Sequence, residues 1–266
     1  VSRLEFGQVA ESVVYATIFL AGLTIGSFLN VVIHRGPAMW GLVDGPNRGD
    51  LVAPRSYCPK CETPLAAMNL IPLLSYFAQR GRCARCGAQI SARYPIVEAM
   101  GGASALLAVL LFGLSPAALA AAIFGFALIA LAFIDAETGY LPDAITLPLM
   151  GAGLAANAAS NFAPFLDALI GAAAGFVLFW MIGEIYARIR KRDGLGLGDA
   201  KLLAAVGAWT GWQMLPVVVF AAALGTLAFI ALRRGAKPDD AIPFGPGLCA
   251  AGFLALFFGG QLLSAL

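Results

Sequence analysis

Long apolar runs decide most of what this chain can become. Residues 13–33, 96–112, 117–134, 144–159, 165–187, 200–209, 215–232 and 243–263 are almost free of charged side chains. Most of them approach the roughly 20 helical residues needed to cross a ~30 Å hydrocarbon core. A soluble domain carries about 25% charged residues, whereas this chain has 12%, with 60% hydrophobic residues and a mean hydropathy of +0.84. The expected fold is an all-α polytopic membrane protein of about eight transmembrane helices. A small zinc-binding cytoplasmic domain is expected between helices 1 and 2. The run 13–33 is too long for a secretory signal and follows Glu5 and Glu11 with only Arg3 as a base, so it reads as a retained first span.

Charge placement orients the bundle. Basic residues gather in cytoplasmic loops. If 34–95 is cytoplasmic, then 135–143, 188–199 and 233–242 share its side. Together with Lys201 just inside the next run, these segments hold every lysine and arginine of the 17 except Arg3. Both termini then lie on the outer side, which requires an even number of spans. The expected organisation is a first helix over 1–33, a cysteine domain over 34–95 and a helical bundle over 96–266.

The loop domain carries Cys58-Pro-Lys-Cys61 and Cys83-Ala-Arg-Cys86, with residues 62–82 between the pairs. Each C-x-x-C can present two thiolates from one tight knuckle, and two knuckles complete a tetrahedral zinc site. A closed four-thiolate site is structural, and folds a loop too small for a core of its own. Two disulfides are the alternative, disfavoured where thiols stay reduced. Cys249, alone in the last run, reads as a packed core residue.

Carboxylates at the mouths of spans are functional candidates. Asp135 ends the run 117–134, and Asp199 opens the run 200–209 behind Gly194-Leu-Gly-Leu-Gly198. On the derived topology both lie at cytoplasmic helix ends, where they could face one another. Two carboxylates in a partly apolar site do not both ionise easily, so one can hold a proton while the other acts as base toward a water. Gly194, Gly196 and Gly198 would allow a sharp turn and close approach of a substrate strand. Asp199 could instead cap its helix, and Asp143 reads as a helix N-cap. Glu184 and Arg188 have i,i+4 spacing for a surface ion pair. Glu137, Asp193, Asp239 and Asp240 read as solvated loop charges. The glycine run lacks G-x-G-x-x-G spacing and follows no strand, so it is not a dinucleotide site. His34 is the only histidine, which argues against a histidine-based hydrolase.

Several stretches, taken in order, resemble the bacterial type IV prepilin peptidases. They are Gly26-Ser-Phe-Leu-Asn-Val-Val-Ile-His-Arg35, the two C-x-x-C pairs, Ile71-Pro-Leu-Leu-Ser-Tyr76, Gly81-Arg-Cys83 and Arg93-Tyr-Pro-Ile-Val-Glu98. Ile134-Asp135 with Leu141-Pro-Asp143, Gly196-Leu-Gly-Asp199-Ala-Lys201 and Ile242-Pro-Phe-Gly-Pro246 complete the set. The resemblance implies an aspartic endopeptidase with Asp135 and Asp199 as its catalytic pair, supported by Gly196, Gly198 and Lys201 of the motif. The substrate would be a prepilin or pseudopilin, cut on the cytoplasmic side after the glycine that ends its basic leader. The new N-terminal residue would then be methylated with S-adenosylmethionine as donor, an activity associated with the cysteine domain. The implied location is the bacterial inner membrane with both termini periplasmic. The expected partners are the substrate and membrane lipid, not nucleic acid. Where the family often carries Trp-Glu-Asn before Ile-Pro, this chain has Met68-Asn69-Leu70. A peptidase without methyl transfer is therefore the alternative, and a zinc-stabilised scaffold or transporter is a further one. A transporter would more often show internal repeats or mid-membrane acids, and neither is seen.

Overall fold

A computed structural model describes residues 3–44, 49–190, 196–232 and 243–264. Arg48, Lys191, Arg192, Asp193, Gly194, Arg233, Arg234, Lys237, Asp239, Asp240 and Ile242 lie outside them. The chain forms two compact units, Val1–Ala130 and Leu131–Leu266. The eight apolar runs all become helices: α1 (Arg3–Met39), α3 (Arg93–Phe112), α4 (Pro116–Thr138), α5 (Asp143–Ala158), α6 (Phe165–Arg190), α7 (Leu197–Thr210), α8 (Leu215–Leu232) and α9 (Gly245–Ser264), with a short α2 (Leu74–Ala78) in the first loop. Among the described residues no strand forms, only isolated bridges. Five helices there are long and apolar enough to cross a membrane, and Gly245–Gly260 is a shorter apolar helix.

In the first unit, α1 and α3 pack through small residues. An added Cβ at Gly22 would lie 2.7 Å from both the Ala105 Cβ and the Gly101 carbonyl oxygen, and one at Gly26 would meet the Glu98 backbone at 2.8 Å. Lipid supplies no hydrophobic drive between helices, so backbone approach through glycine supplies the contact. Helix α1 runs on to Met39, past the boundary expected at residue 33. His34 and Arg35 mark a change of environment, not the helix end. Buried Arg35 donates to the carbonyls of Asp50 (2.7 Å) and Pro54 (2.8 Å), tying the helix to the loop that follows.

In the second unit, α7 is the central helix. From Leu202 to Trp209 every residue is buried. Gly171 of α6 and Gly207 of α7 meet backbone to backbone, and a Cβ at Gly175 would lie 2.8 Å from the Leu203 carbonyl oxygen. Polar bonds fix the other side: the Trp209 indole donates to the Leu149 carbonyl at 2.8 Å, in space left by Gly153. Fully buried Asn157 of α5 donates to the carbonyls of Ala208 (2.9 Å) and Trp209 (3.0 Å), and accepts from the N–H groups of Phe162 and Ala163. Both polar atoms of that amide side chain are thus engaged, in four hydrogen bonds, which holds the segment leading into α6 and the end of α7 to α5. Gly211, at φ 80°, ends α7 and starts a 3-10 turn into α8. Asp167 in the first turn of α6 accepts from the Trp212 indole and the Gln213 amide.

Candidate functional site

Asp135 lies near the C-terminal end of α4 and Asp199 in the first turn of α7. Asp135 is 5% exposed. Asp199 is half-buried and lies within range of the Asp135 charge, and buried Cys249 lies within range of both acids. Asp199 is not the N-cap residue, which is Gly196; at the third position of α7 its carboxylate reaches back to the Gly196 backbone N–H, as in the second half of a capping box. The Asp135 Oδ2 is buried and has no hydrogen-bond partner among the described residues. The carboxylate does receive a hydrogen bond from the backbone N–H of Gly245.

Gly245 is the site residue that residue-by-residue reading missed. It is buried at the start of α9, and an added Cβ would lie 2.5 Å from Asp135 Oδ2. Only a residue without a side chain lets α9 approach the acid this closely. The signal available in the sequence was Pro243-Phe-Gly-Pro246 itself, two prolines around one glycine at a helix start. Cys249, one turn further along α9, is buried as expected, and the charges of both Asp135 and Asp199 act on it.

The expected roles of the glycine motif divide. Gly196 has φ −70°, a conformation open to any residue, and a Cβ there would sit 3.7 Å from an Asp199 carboxylate oxygen. At Gly198 the requirement is space, since a Cβ would meet the Leu141 Cβ at 3.0 Å. Asp143 is not an N-cap: that position is Pro142, with no side-chain capping bond. Its carboxylate instead takes both oxygens to Lys201 Nζ at 2.7 Å. The pair clamps the segment following Asp135 to the helix that carries Asp199. On the exposed face of α6, Arg188 and Glu184 form the expected pair at 2.8 Å.

The second candidate centre lies in the first unit. The sulfurs of Cys58, Cys61, Cys83 and Cys86 all lie within 4.8 Å of one another, and all four thiols are free. The Cys58–Cys86 separation is 3.8 Å. A tetrahedron with metal–sulfur bonds of about 2.3 Å has edges of about 3.8 Å, so the cluster could hold a metal ion of that size. Two equivalent knuckles build it. Cys58 N–H donates to Thr63 at 3.0 Å and Cys83 N–H to Ala88 at 2.8 Å, while Glu62 and Gly87 return to Cys58 and Cys83 with φ of 54° and 69°. The Thr63 side chain, followed by its backbone, lowers the Cys61 thiol to about 6, which favours the thiolate that ligates.

Residues 20–112 match the Bacterial Peptidase A24 N-terminal domain, and residues 122–231 match the Type IV leader peptidase family. The chain is similar to the prepilin leader peptidase/N-methyltransferase of Burkholderia pseudomallei (strain K96243), 44% identical over 273 residues, covering 96% of this chain and 88% of the relative. The protein of the same name from Aeromonas hydrophila is 42% identical, with 97% and 96% covered, and that from Pseudomonas aeruginosa 41% identical, with 94% and 91% covered. No solved structure matches this chain. Two family matches in sequence along the chain, with relatives this similar over nearly its whole length, place it in the type IV leader peptidase family.

Proposed function

We propose that the chain is a multi-pass enzyme of the bacterial inner membrane that cleaves the leader from prepilins or pseudopilins and N-methylates the new terminus. Asp135 and Asp199 are its catalytic pair. The observation that carries this reading is their convergence from two helices, with one buried carboxylate oxygen left without a partner. One carboxylate takes a proton from a water as it attacks the scissile carbonyl carbon. The other, protonated, donates to the carbonyl oxygen, and a proton then passes to the departing amine as the C–N bond breaks. The placement of basic residues supports a cytoplasmic side for this chemistry and periplasmic termini. Purified enzyme is to be incubated with a prepilin, and the product's mass and new N-terminus read. Cleavage that survives loss of both acids would end the assignment.

Lys201 is a positioning residue. Its bond to Asp143 is partly solvated, with 30% and 53% of the two side chains exposed, so its contribution to stability is under about 1 kcal/mol. Lys201→Ala should slow cleavage roughly tenfold through looser placement of Asp199, with melting nearly unchanged and partial rescue by Lys201→Arg. Equal cleavage by the alanine variant and the parent would remove Lys201 from the site.

The metal in the cysteine cluster is zinc, held by Cys58, Cys61, Cys83 and Cys86 to fold the loop domain. Metal analysis should give one zinc per chain. Cys58→Ser or Cys83→Ser should remove most of it, with methyl transfer falling further than cleavage. Stoichiometric zinc in both variants would exclude these ligands. S-adenosylmethionine, when bound, supplies the methyl group as an electrophile on a positively charged sulfur. The peptide's new terminal amine must be neutral to accept it.

A further inference from the structure

Seven residues separate Asp135 from Asp143, and both ends of this connector are tied to their own helices. At the α4 end the Thr138 hydroxyl donates to the Ile134 carbonyl at 2.7 Å, and the Gly139 N–H donates to the Asp135 carbonyl at 2.8 Å. Gly139, at φ 71°, then turns the chain out of the helix. At the α5 end the Pro142 carbonyl accepts from the N–H groups of Ile145 and Thr146, both at 3.0 Å, and from the Thr146 hydroxyl at 2.8 Å. Thr146 and Pro142 are buried, so this end belongs to the packed unit. Between the two ends stand Tyr140 and Leu141. Tyr140 is exposed, whereas Leu141 is half-buried against the first turn of α7. A Cβ added at Gly198 would lie 3.0 Å from the Leu141 Cβ, 3.5 Å from its Cδ1 and 3.7 Å from its Cγ. The leucine thus fills, from Cβ to Cδ1, the space that the missing side chain of Gly198 leaves.

Three residues further along α7, Lys201 holds Asp143 with Nζ 2.7 Å from both carboxylate oxygens. Residues spaced i,i+3 share a helix face, so the connector meets one face of α7 at 198 and again at 201, on either side of Asp199 in the sequence. The two contacts differ in stiffness. The ion pair joins long, partly solvated side chains that can slide while keeping their charges close. The leucine lies against backbone, and close packing of that kind yields little. It is the leucine that fixes how near the connector comes to α7. Because the same connector starts at Asp135 and the same turn carries Asp199, that approach also fixes the distance between the acids. Resting on the reading of these acids as the catalytic pair, we propose that Leu141, seated on Gly198, is a positioning residue that sets the spacing of Asp135 and Asp199. The role accounts for the second glycine of the motif. At Gly196 an added Cβ meets nothing nearer than 3.7 Å, so no such demand falls there.

The test is a double-mutant cycle on prepilin cleavage by the full-length protein in detergent, with kcat and KM read separately. Gly198→Ala drives a methyl group against Leu141 and should lower kcat about 30-fold with KM nearly unchanged, since small displacements of a catalytic group cost up to about 10². Leu141→Gly removes the opposing Cβ and should lower kcat about tenfold by leaving the connector loose. Leu141→Met, which keeps the volume, should stay within roughly threefold of the parent. Residues in contact couple and distant ones add, so Gly198→Ala combined with Leu141→Gly should cleave about fivefold faster than Gly198→Ala alone. Losses that multiply in the combined variant overturn the assignment, as do losses confined to KM. If Gly198→Ala does not fold, the other two variants decide: equal kcat for Leu141→Gly and Leu141→Met removes Leu141 from the positioning of the pair. Failure of the underlying reading looks different. It would show as cleavage that persists in Asp135→Asn and Asp199→Asn, whatever the Leu141 variants do.

Discussion

Asp135→Asn and Asp199→Asn should each lower prepilin cleavage by about 10³-fold, and the double variant should be hardly worse than either single one. General acid–base groups contribute on the order of 10² to 10⁴, and groups that act as one unit give strongly non-additive losses. The asparagine keeps the size and most of the shape of the acid, so packing around α4 and α7 is retained. Stability should hold or rise for Asp135→Asn. A buried carboxylate with an unpartnered oxygen costs free energy in the resting protein, and its amide costs less. Activity lost while melting temperature holds is the signature of a site that carries strain for its chemistry. Cleavage by the parent should be bell-shaped against pH, with two apparent values belonging to the pair and not to either acid. Either single variant working at a tenth of the parent rate or better would dissolve the pair.

The sequence carried the helices because each is written as an uninterrupted apolar run, and a membrane leaves such a run few other states. It also singled out Asp135 and Asp199 as candidates, because a carboxylate at the mouth of a span is costly and so stands out. Three features stayed hidden for physical reasons. The end of α1 lies six residues past the end of the run 13–33, with Arg35 buried by bonding the carbonyls of Asp50 and Pro54, a partnership invisible from composition. Asp143 looks like a cap because Leu-Pro-Asp precedes an apolar run; its partner Lys201 is reached only through the fold. Leu141 sits in a short connector with no pattern of its own, and its seat on Gly198 exists only once α7 packs beside that connector. The cysteine cluster was legible because its spacing is itself the geometry.

Gly245→Ala should lower cleavage by about 100-fold while helix content stays at the parent level. The new Cβ would stand 2.5 Å from Asp135 Oδ2, 2.8 Å from its Cγ and 3.2 Å from its Cβ. Ordinary contact between such atoms begins near 3.4 Å, so either the carboxylate turns away or the start of α9 moves. Both displace the acid by a fraction of an ångström to about 1 Å, and misplacement on that scale can cost about 10² in rate. The backbone gives no reason for glycine here, since Gly245 is helical and absent from the positive-φ residues. In a helix, glycine is the poorer former by about 1 kcal/mol. Alanine would improve the helix and damage the site, so activity and intrinsic helix preference pull in opposite directions at one position. Gly225→Ala in α8 is the matched control, because nothing lies within 4 Å of its added Cβ, and it should cleave within twofold of the parent. Parent-like cleavage by Gly245→Ala would mean that Asp135 works from a different position, and that the approach of α9 is packing alone.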